Sequence, residues 1–221
     1  MRYALYLVKC VMVGCVYIHK HARIPMTHND PLSIKVIAGS TREGRFSDKA
    51  ALWIAAELKK QEGVDAEVLD LRDYDMPFFN EMATPSFKQE PYTHEQVARF
   101  TKKIAEGDAF VMVTPEYNHG TSAVLKNALD WVYQEWNNKP VAFISYGSVG
   151  GARAVEQLRL NAIELQMAPI RASVHIPGDR YFPVMFGKAD AGELLSSLTE
   201  PAQTMITQLL WWTKALKAAR V

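Results

Sequence analysis

With 221 residues, 48% hydrophobic and 22% charged, the chain has the size and composition of one globular domain with a well-buried core. Its formal net charge of +1 speaks against a dedicated nucleic-acid binder, which carries a basic patch and a high pI. Both cysteines, Cys10 and Cys15, lie near the N-terminus; the rest of the chain therefore has no disulfide framework, cysteine nucleophile or cysteine-based metal site, which fits a reducing, cytoplasmic setting.

Residues 1–25 hold four basic residues and no acidic one, which leaves the remainder at net −3. The apolar run from Tyr3 to Ile18 is broken by Lys9 and is shorter than the roughly 20 apolar residues that span a membrane. It has the basic start and hydrophobic run of a signal peptide, but no A-x-A-like cleavage site before Met26. The favoured reading is a poorly ordered leader, residues 1–30, ahead of a domain running from 31 to 221, with Met26 as the natural first residue.

Ile34, Val36 and Ile37 predict a first strand that ends at Gly39. Ser47 to Lys60 predicts a helix with Ala51, Ile54, Ala55 and Leu58 on one face, Ser47 as its N-cap and Gly63 beyond its end. Ala66 to Leu71 reads as a short second strand. Residues 72–92 contain Pro77, Pro85 and Pro91 and are predicted irregular, a length of connection that is usually functional or mobile. Val97, Phe100 and Ile104 at helical spacing predict a helix from Thr93 to Glu106.

Ala109 to Thr114 is a continuous apolar run, the pattern of a strand buried on both faces of a parallel sheet. A turn-rich loop, 115–120, leads into a helix predicted from Ser122 to about Trp136. Val141 to Tyr146 repeats the buried-strand pattern and is followed by the glycine-rich GSVGG and a helix through Leu165. Ile170 to Ile176 is a fifth strand, and Glu193 to Ala219 a last helix interrupted near Pro201. Alternation of this kind predicts an α/β fold, a five-stranded parallel sheet with helices on both faces. Right-handed crossovers bring the loops after strands one, three and four to the carboxyl edge of the sheet, at one crevice.

The first of those loops, GSTREGRFS, lies between a strand and a helix N-terminus, where amides and helix dipole favour an anion. It lacks the second glycine of a dinucleotide fingerprint, whose place Thr41 takes, and the Gly-Lys-Ser/Thr of a Walker A loop, since Arg45 and Phe46 follow Gly44. Hydroxyls of Ser40, Thr41 and Ser47, with charge from Arg42 and Arg45, suit a terminal phosphate monoester. Either arginine alone could equally be a solvated surface residue. The second loop offers Pro115, Glu116, Tyr117 and Asn118, whose backbone can border a planar heterocycle. His119 reads as a surface residue, and Asp130 and Trp131 as interface or packing residues. In the third loop Gly147, Ser148, Gly150 and Gly151 let backbone approach a ligand closely.

GSTREGRFS, TPEYNHGTSAVLKNALDW and SYGSVGGARA together resemble the signature segments of the NADPH-dependent FMN reductase family, a flavodoxin-like group that includes chromate, quinone and azo-dye reductases. The resemblance spans Ser33 to His175. It implies a three-layer flavodoxin-like fold with strand order 2-1-3-4-5, bound FMN, and a homodimer or homotetramer. By the same resemblance Ser40, Arg42 and Ser47 hold the FMN phosphate, Pro115, Glu116, Tyr117 and Asn118 border the isoalloxazine, and Tyr146, Gly147 and Ser148 lie on its other side. The implied reaction passes hydride from NADPH or NADH through FMN to a small-molecule electron acceptor in a ping-pong cycle, without a membrane or nucleic-acid partner and without a protein nucleophile. Phe78 and Phe79 are candidates to cover the ring, with burial beneath their own loop as the competing reading. Two alternatives stand beside the reductase: a flavodoxin-like electron carrier or flavin-binding module without NAD(P)H oxidation, and a mononucleotide-binding domain without redox chemistry.

Overall fold

The computed structural model describes residues 30–87 and 92–220; apart from Asp30, the expected leader lies outside the described residues. Strands β1 (Leu32–Ala38), β2 (Val64–Asp70), β3 (Ala109–Pro115), β4 (Pro140–Tyr146) and β5 (Ala168–Ile176) pair in parallel in the order 2-1-3-4-5. Between and after them come α1 (Ser47–Lys59), α2 (Glu95–Glu106), α3 (Ala123–Trp131), α4 (Ala152–Glu164), α5 (Gly178–Met185), α6 (Ala191–Ser196) and α7 (Thr199–Ala219). This is the expected three-layer flavodoxin-like arrangement. No helix among the described residues is long and apolar enough to cross a membrane.

The apolar strands bury both faces because successive side chains point to opposite sides. Val36, Val111, Val113, Ala142 and Ile144 pack into one core with Ile54 and Leu58 of α1 and Met205, Ile206 and Leu209 of α7. Ile37, Phe110, Met112, Val141 and Phe143 pack into the other with Phe100 of α2, Leu125 of α3 and Leu158 of α4. The sheet therefore separates two hydrophobic clusters, and the strand-to-helix loops meet at its carboxyl edge.

The structure departs from the sequence expectations at four places. The N-cap of α1 is Phe46, and Ser47 is the first helical residue. Helix α3 stops at Trp131 because Val132 turns to extended backbone (φ −125°, ψ 141°), and a 3-10 turn, Gln134–Trp136, then buries Trp136. Helix α5 has no counterpart in the expected elements, which pass from Ile176 to Glu193; Pro177 is its N-cap, outside the hydrogen-bonded turns, and Pro183 lies within it. The last helical stretch is two helices that part at Ser197 and Leu198, while Pro201 sits in the first turn of α7, where an amide has no intrahelical acceptor to lose.

Candidate cofactor site

The loop from Gly39 to Phe46 follows β1, whose last residue Ala38 pairs with Asp70 of β2 and Val113 of β3. Ser40 is buried, 3.2 Å from the Tyr117 hydroxyl, and its Oγ accepts from the Arg42 amide at 3.4 Å. Ser47, also buried, donates its hydroxyl to the Ser40 carbonyl at 3.5 Å. Thr41 and Arg42 are exposed on the loop. The amides of Thr41, Glu43 and Gly44 have no hydrogen-bond partner among the described residues. Gly44 holds φ +62°, which a non-glycine residue adopts at a cost.

Arg45, expected to face an anion, is buried and turned to the protein: Nη1 donates to the Ser40 carbonyl at 3.1 Å and Nη2 pairs with Asp70 at the end of β2. It supports the loop from the β2 side. Arg72, which the sequence did not single out, donates from Nε and Nη2 to the Thr41 carbonyl and from Nη2 to the Arg42 carbonyl. A cavity of about 410 Å³ beside it is lined by Thr41, Tyr74, Met76, Val124 and Asn127 among others. A larger hollow of about 680 Å³, on the outer face of α7 against Trp211 and Trp212, includes none of the loop residues.

The second loop is a tight hairpin. Tyr117 and Gly120 exchange backbone hydrogen bonds at 2.9 and 3.0 Å, and Asn118 (φ 50°) and His119 (φ 68°) occupy its two left-handed positions. It is tied to both neighbouring loops. The Tyr117 hydroxyl reaches Ser40, and the Glu116 amide donates to the Tyr146 carbonyl at 3.0 Å. The buried Glu116 carboxylate accepts from the Arg153 amide at 3.1 Å and from Arg153 Nε at 2.6 Å, which places a negative charge on the N-terminus of α4. His119 is exposed, and its Nε2 lies 2.8 Å from Arg153 Nη1. Arginine only donates, so Nε2 is the acceptor and the ring proton sits on Nδ1.

Asp130 is half-buried and pairs with Lys126, whereas Trp131 is buried and donates to the Pro77 carbonyl at 2.7 Å. Phe79 packs edge-on against Trp131, with ring centroids 5.0 Å apart, while Phe78 is 77% exposed. The burial reading thus holds for Phe79 and not for Phe78.

In the third loop the Tyr146 ring is buried beneath the backbone, between Phe46 and Tyr181 with centroids 5.3 and 4.9 Å away. Its hydroxyl comes close to Ser47 without closing a well-formed hydrogen bond, and burial pushes its pKa up. Gly147 and Ser148 are fixed by backbone bonds to Ile176 and Gly178. Gly151 (φ +75°) begins α4 at a point where a Cβ would come within 2.5 Å of the Ser145 Cβ, so only glycine fits. Ser145 donates to the Gly150 carbonyl at 2.7 Å and lies 2.8 Å from His175 Nδ1. Burial lowers the His175 pKa, with Arg159 adding to that and the Gly150 carbonyl opposing it.

Open amides, hydroxyls and an exposed arginine thus gather at a helix N-terminus, the kind of donor set that could hold an anion. The two loops joined to it leave the Asn118 and Ser148 amides without a partner among the described residues. Among the described residues no group of three His, Cys, Asp or Glu side chains could hold a metal ion.

Comparison with known proteins gives this site its context. The sequence model of the NADPH-dependent FMN reductase family matches residues 32–180. An NAD(P)H-dependent FMN reductase of Schizosaccharomyces pombe is 38% identical over 149 residues, covering 66% of this chain and 74% of its own. A 2-hydroxy-1,4-benzoquinone reductase of a Burkholderia species is 35% identical over 138 residues, 58% of this chain and 68% of its own. The solved structure of FerB, an NAD(P)H:(acceptor) oxidoreductase of Paracoccus denitrificans, shares the fold with a TM-score of 0.60 at 21% identity, covering 80% of this chain and 97% of that one. The family match runs through all five strands and all three loops, and the chain belongs to the NADPH-dependent FMN reductase family.

Proposed function

We propose that the protein binds FMN with its phosphate in the first loop and its ring against the second and third, and uses NAD(P)H to reduce a small acceptor of the quinone type. The observation that carries this reading is the set of open amides at Thr41, Glu43 and Gly44, at the N-terminus of α1, beside the buried Tyr146 hydroxyl, which closes no well-formed hydrogen bond. Buried polar groups are rarely left without a partner, and a phosphate oxygen would supply one for Tyr146 while its other oxygens accept from the exposed loop amides. When bound, FMN supplies the chemistry: it accepts a hydride from NAD(P)H and delivers reducing equivalents to the acceptor.

The chain's own residues bind and orient. Ser40, Ser47 and the open amides hold the phosphate by hydrogen bonds, and Arg42 adds charge from the loop surface. Arg45 supports the Ser40 carbonyl. Pro115, Glu116, Tyr117 and Asn118 on one side and Tyr146, Gly147 and Ser148 on the other border the ring, chiefly through backbone. The amides of Asn118 and Ser148 have no partner among the described residues and are open to a ring oxygen that gains negative charge. Thr41 lines the loop's outer face. The quinone-reducing relative supports the acceptor class. We propose further that the protein works as a cytoplasmic homodimer or homotetramer of domains spanning residues 31–221.

The test is a spectrum. Purified protein should be yellow, bleach under anaerobic conditions with NADPH or NADH, and regain its colour on addition of a benzoquinone. A yellow protein inert to both nucleotides would be an electron carrier, and a colourless one that cannot take up FMN would be a mononucleotide-binding domain.

A further inference from the structure

We propose that Arg72, at the end of β2, is a positioning residue for the phosphate loop: it draws the loop's carbonyl oxygens outward so that the amides face the anion. The inference rests on the reading of the first loop as a phosphate site.

A loop that wraps an anion must keep its carbonyl oxygens away from it, because each carries negative partial charge. Three consecutive carbonyls, those of Ser40, Thr41 and Arg42, are all taken by guanidinium groups. Arg45 Nη1 holds the first at 3.1 Å. Arg72 holds the second from Nε at 3.2 Å and Nη2 at 3.1 Å, and the third from Nη2 at 2.8 Å. The amides of Thr41, Glu43 and Gly44 in the same stretch have no protein partner among the described residues. The adjoining open amides of Glu43 and Gly44, with Thr41 beyond the bonded Arg42 amide, are of the kind that line an anion-binding concavity.

Arg72 is itself held in place. It lies in the 3-10 turn Leu71–Asp73, whose N-cap Asp70 accepts from the Arg72 amide at 2.9 Å. The other oxygen of Asp70 pairs with Arg45. One carboxylate on β2 therefore anchors both arginines, and β2 becomes the template for a loop that belongs to β1. The Nε and Nη2 donors of Arg72 are spent on carbonyls, so it acts on the ligand through the loop. Its planar guanidinium presents Nε and Nη2 in a fixed fork, whereas a lysine ammonium is a point charge on a flexible stem that keeps the charge without that fork.

The experiment compares FMN with riboflavin, which lacks the phosphate, by titrating the flavin-free protein and following flavin fluorescence. The wild-type protein should bind FMN far more tightly than riboflavin. Arg72→Met should weaken FMN binding about tenfold to a hundredfold, as expected for loss of charged hydrogen bonds, with riboflavin affinity and the thermal midpoint of the flavin-free protein unchanged. Arg72→Lys should fall between the two. Equal weakening of FMN and riboflavin, or an FMN affinity that Arg72→Met leaves intact while wild type prefers FMN, would overturn the role of Arg72 alone. A wild-type protein that binds both flavins equally would overturn the phosphate site itself.

Discussion

Ser40 and Arg42 differ in how far the structure commits them. The Ser40 hydroxyl already meets Tyr117 and the Arg42 amide, so its replacement loosens the second loop as well as removing a phosphate donor. The Arg42 side chain is exposed and makes no protein hydrogen bond among the described residues. Replacing both with alanine should weaken FMN binding by about 2–5 kcal/mol, from about 1.5–3 kcal/mol for each hydrogen bond to a charged group, less the shared loss. A fluorescence titration measures this, and unchanged affinity would contradict the phosphate assignment. Residue chemistry in this loop was legible from the sequence to the extent that partners are local. Hydroxyls and arginines at a strand-to-helix turn announce an anion site. The fate of Arg45 was hidden because Asp70 lies on the neighbouring strand, 25 positions away. Arg72 and Arg153 escaped notice for the same reason: their partners, Thr41 and Glu116, are brought to them only by the sheet.

At the scale of elements, strands were legible because each is a short apolar run whose alternate residues feed opposite cores. Helix ends were less so. Proline in a first turn and proline as a breaker look alike in sequence, so the interruption expected near Pro201 falls at Ser197 and Leu198, with Pro201 in the first turn of α7. The joint between α2 and β4 was invisible too. Lys139, next to the first residue of β4, is 8% exposed and donates to the Ile104 and Ala105 carbonyls at 2.9 and 3.1 Å, closing the C-terminal end of α2. Burial first, then Arg220, brings its pKa down to about 8; Asp108 and Glu135 oppose this and Lys35 adds to it. An unfolded lysine keeps its proton to about 10.4. Between pH 8 and 10 the unfolded chain thus binds more protons, and stability from this group rises with pH; below 8 both states are protonated and the contribution is flat. Wild type should gain about 1–2 kcal/mol on Lys139→Met between pH 7.5 and 9.5. Urea unfolding of the two proteins checks it, and the variant cancels the tyrosines, which titrate in both. A gap that stays constant with pH would show that the two helix-end carbonyls hold the proton against burial.

The whole molecule is a sheet with a core on each face, and its working edge is assembled from three loops that brace one another. Every buried apolar residue named in the two cores falls between Leu32 and Leu209, and the family match begins at residue 32. The chain enters the fold through exposed Pro31, and the Leu32 amide is satisfied at once by the Gly63 carbonyl at 2.8 Å. Folding free energy arises chiefly from apolar burial, and among the described residues that burial lies within the segment from β1 to α7. Removal of residues 1–30 should therefore leave the thermal midpoint within about 3 °C, equivalent to about 1 kcal/mol for a domain of this size, and should leave FMN affinity unchanged. The phosphate loop begins seven residues beyond Leu32, and its supports among the described residues, Asp70 at the end of β2, Arg72 just after it, Val113 of β3 and Ser122 at the start of α3, all remain. Scanning calorimetry and flavin titration of the shortened chain make the comparison. A midpoint lowered by 10 °C or more would place part of the N-terminal segment in the folding unit, and weakened FMN binding at an unchanged midpoint would place it in the site.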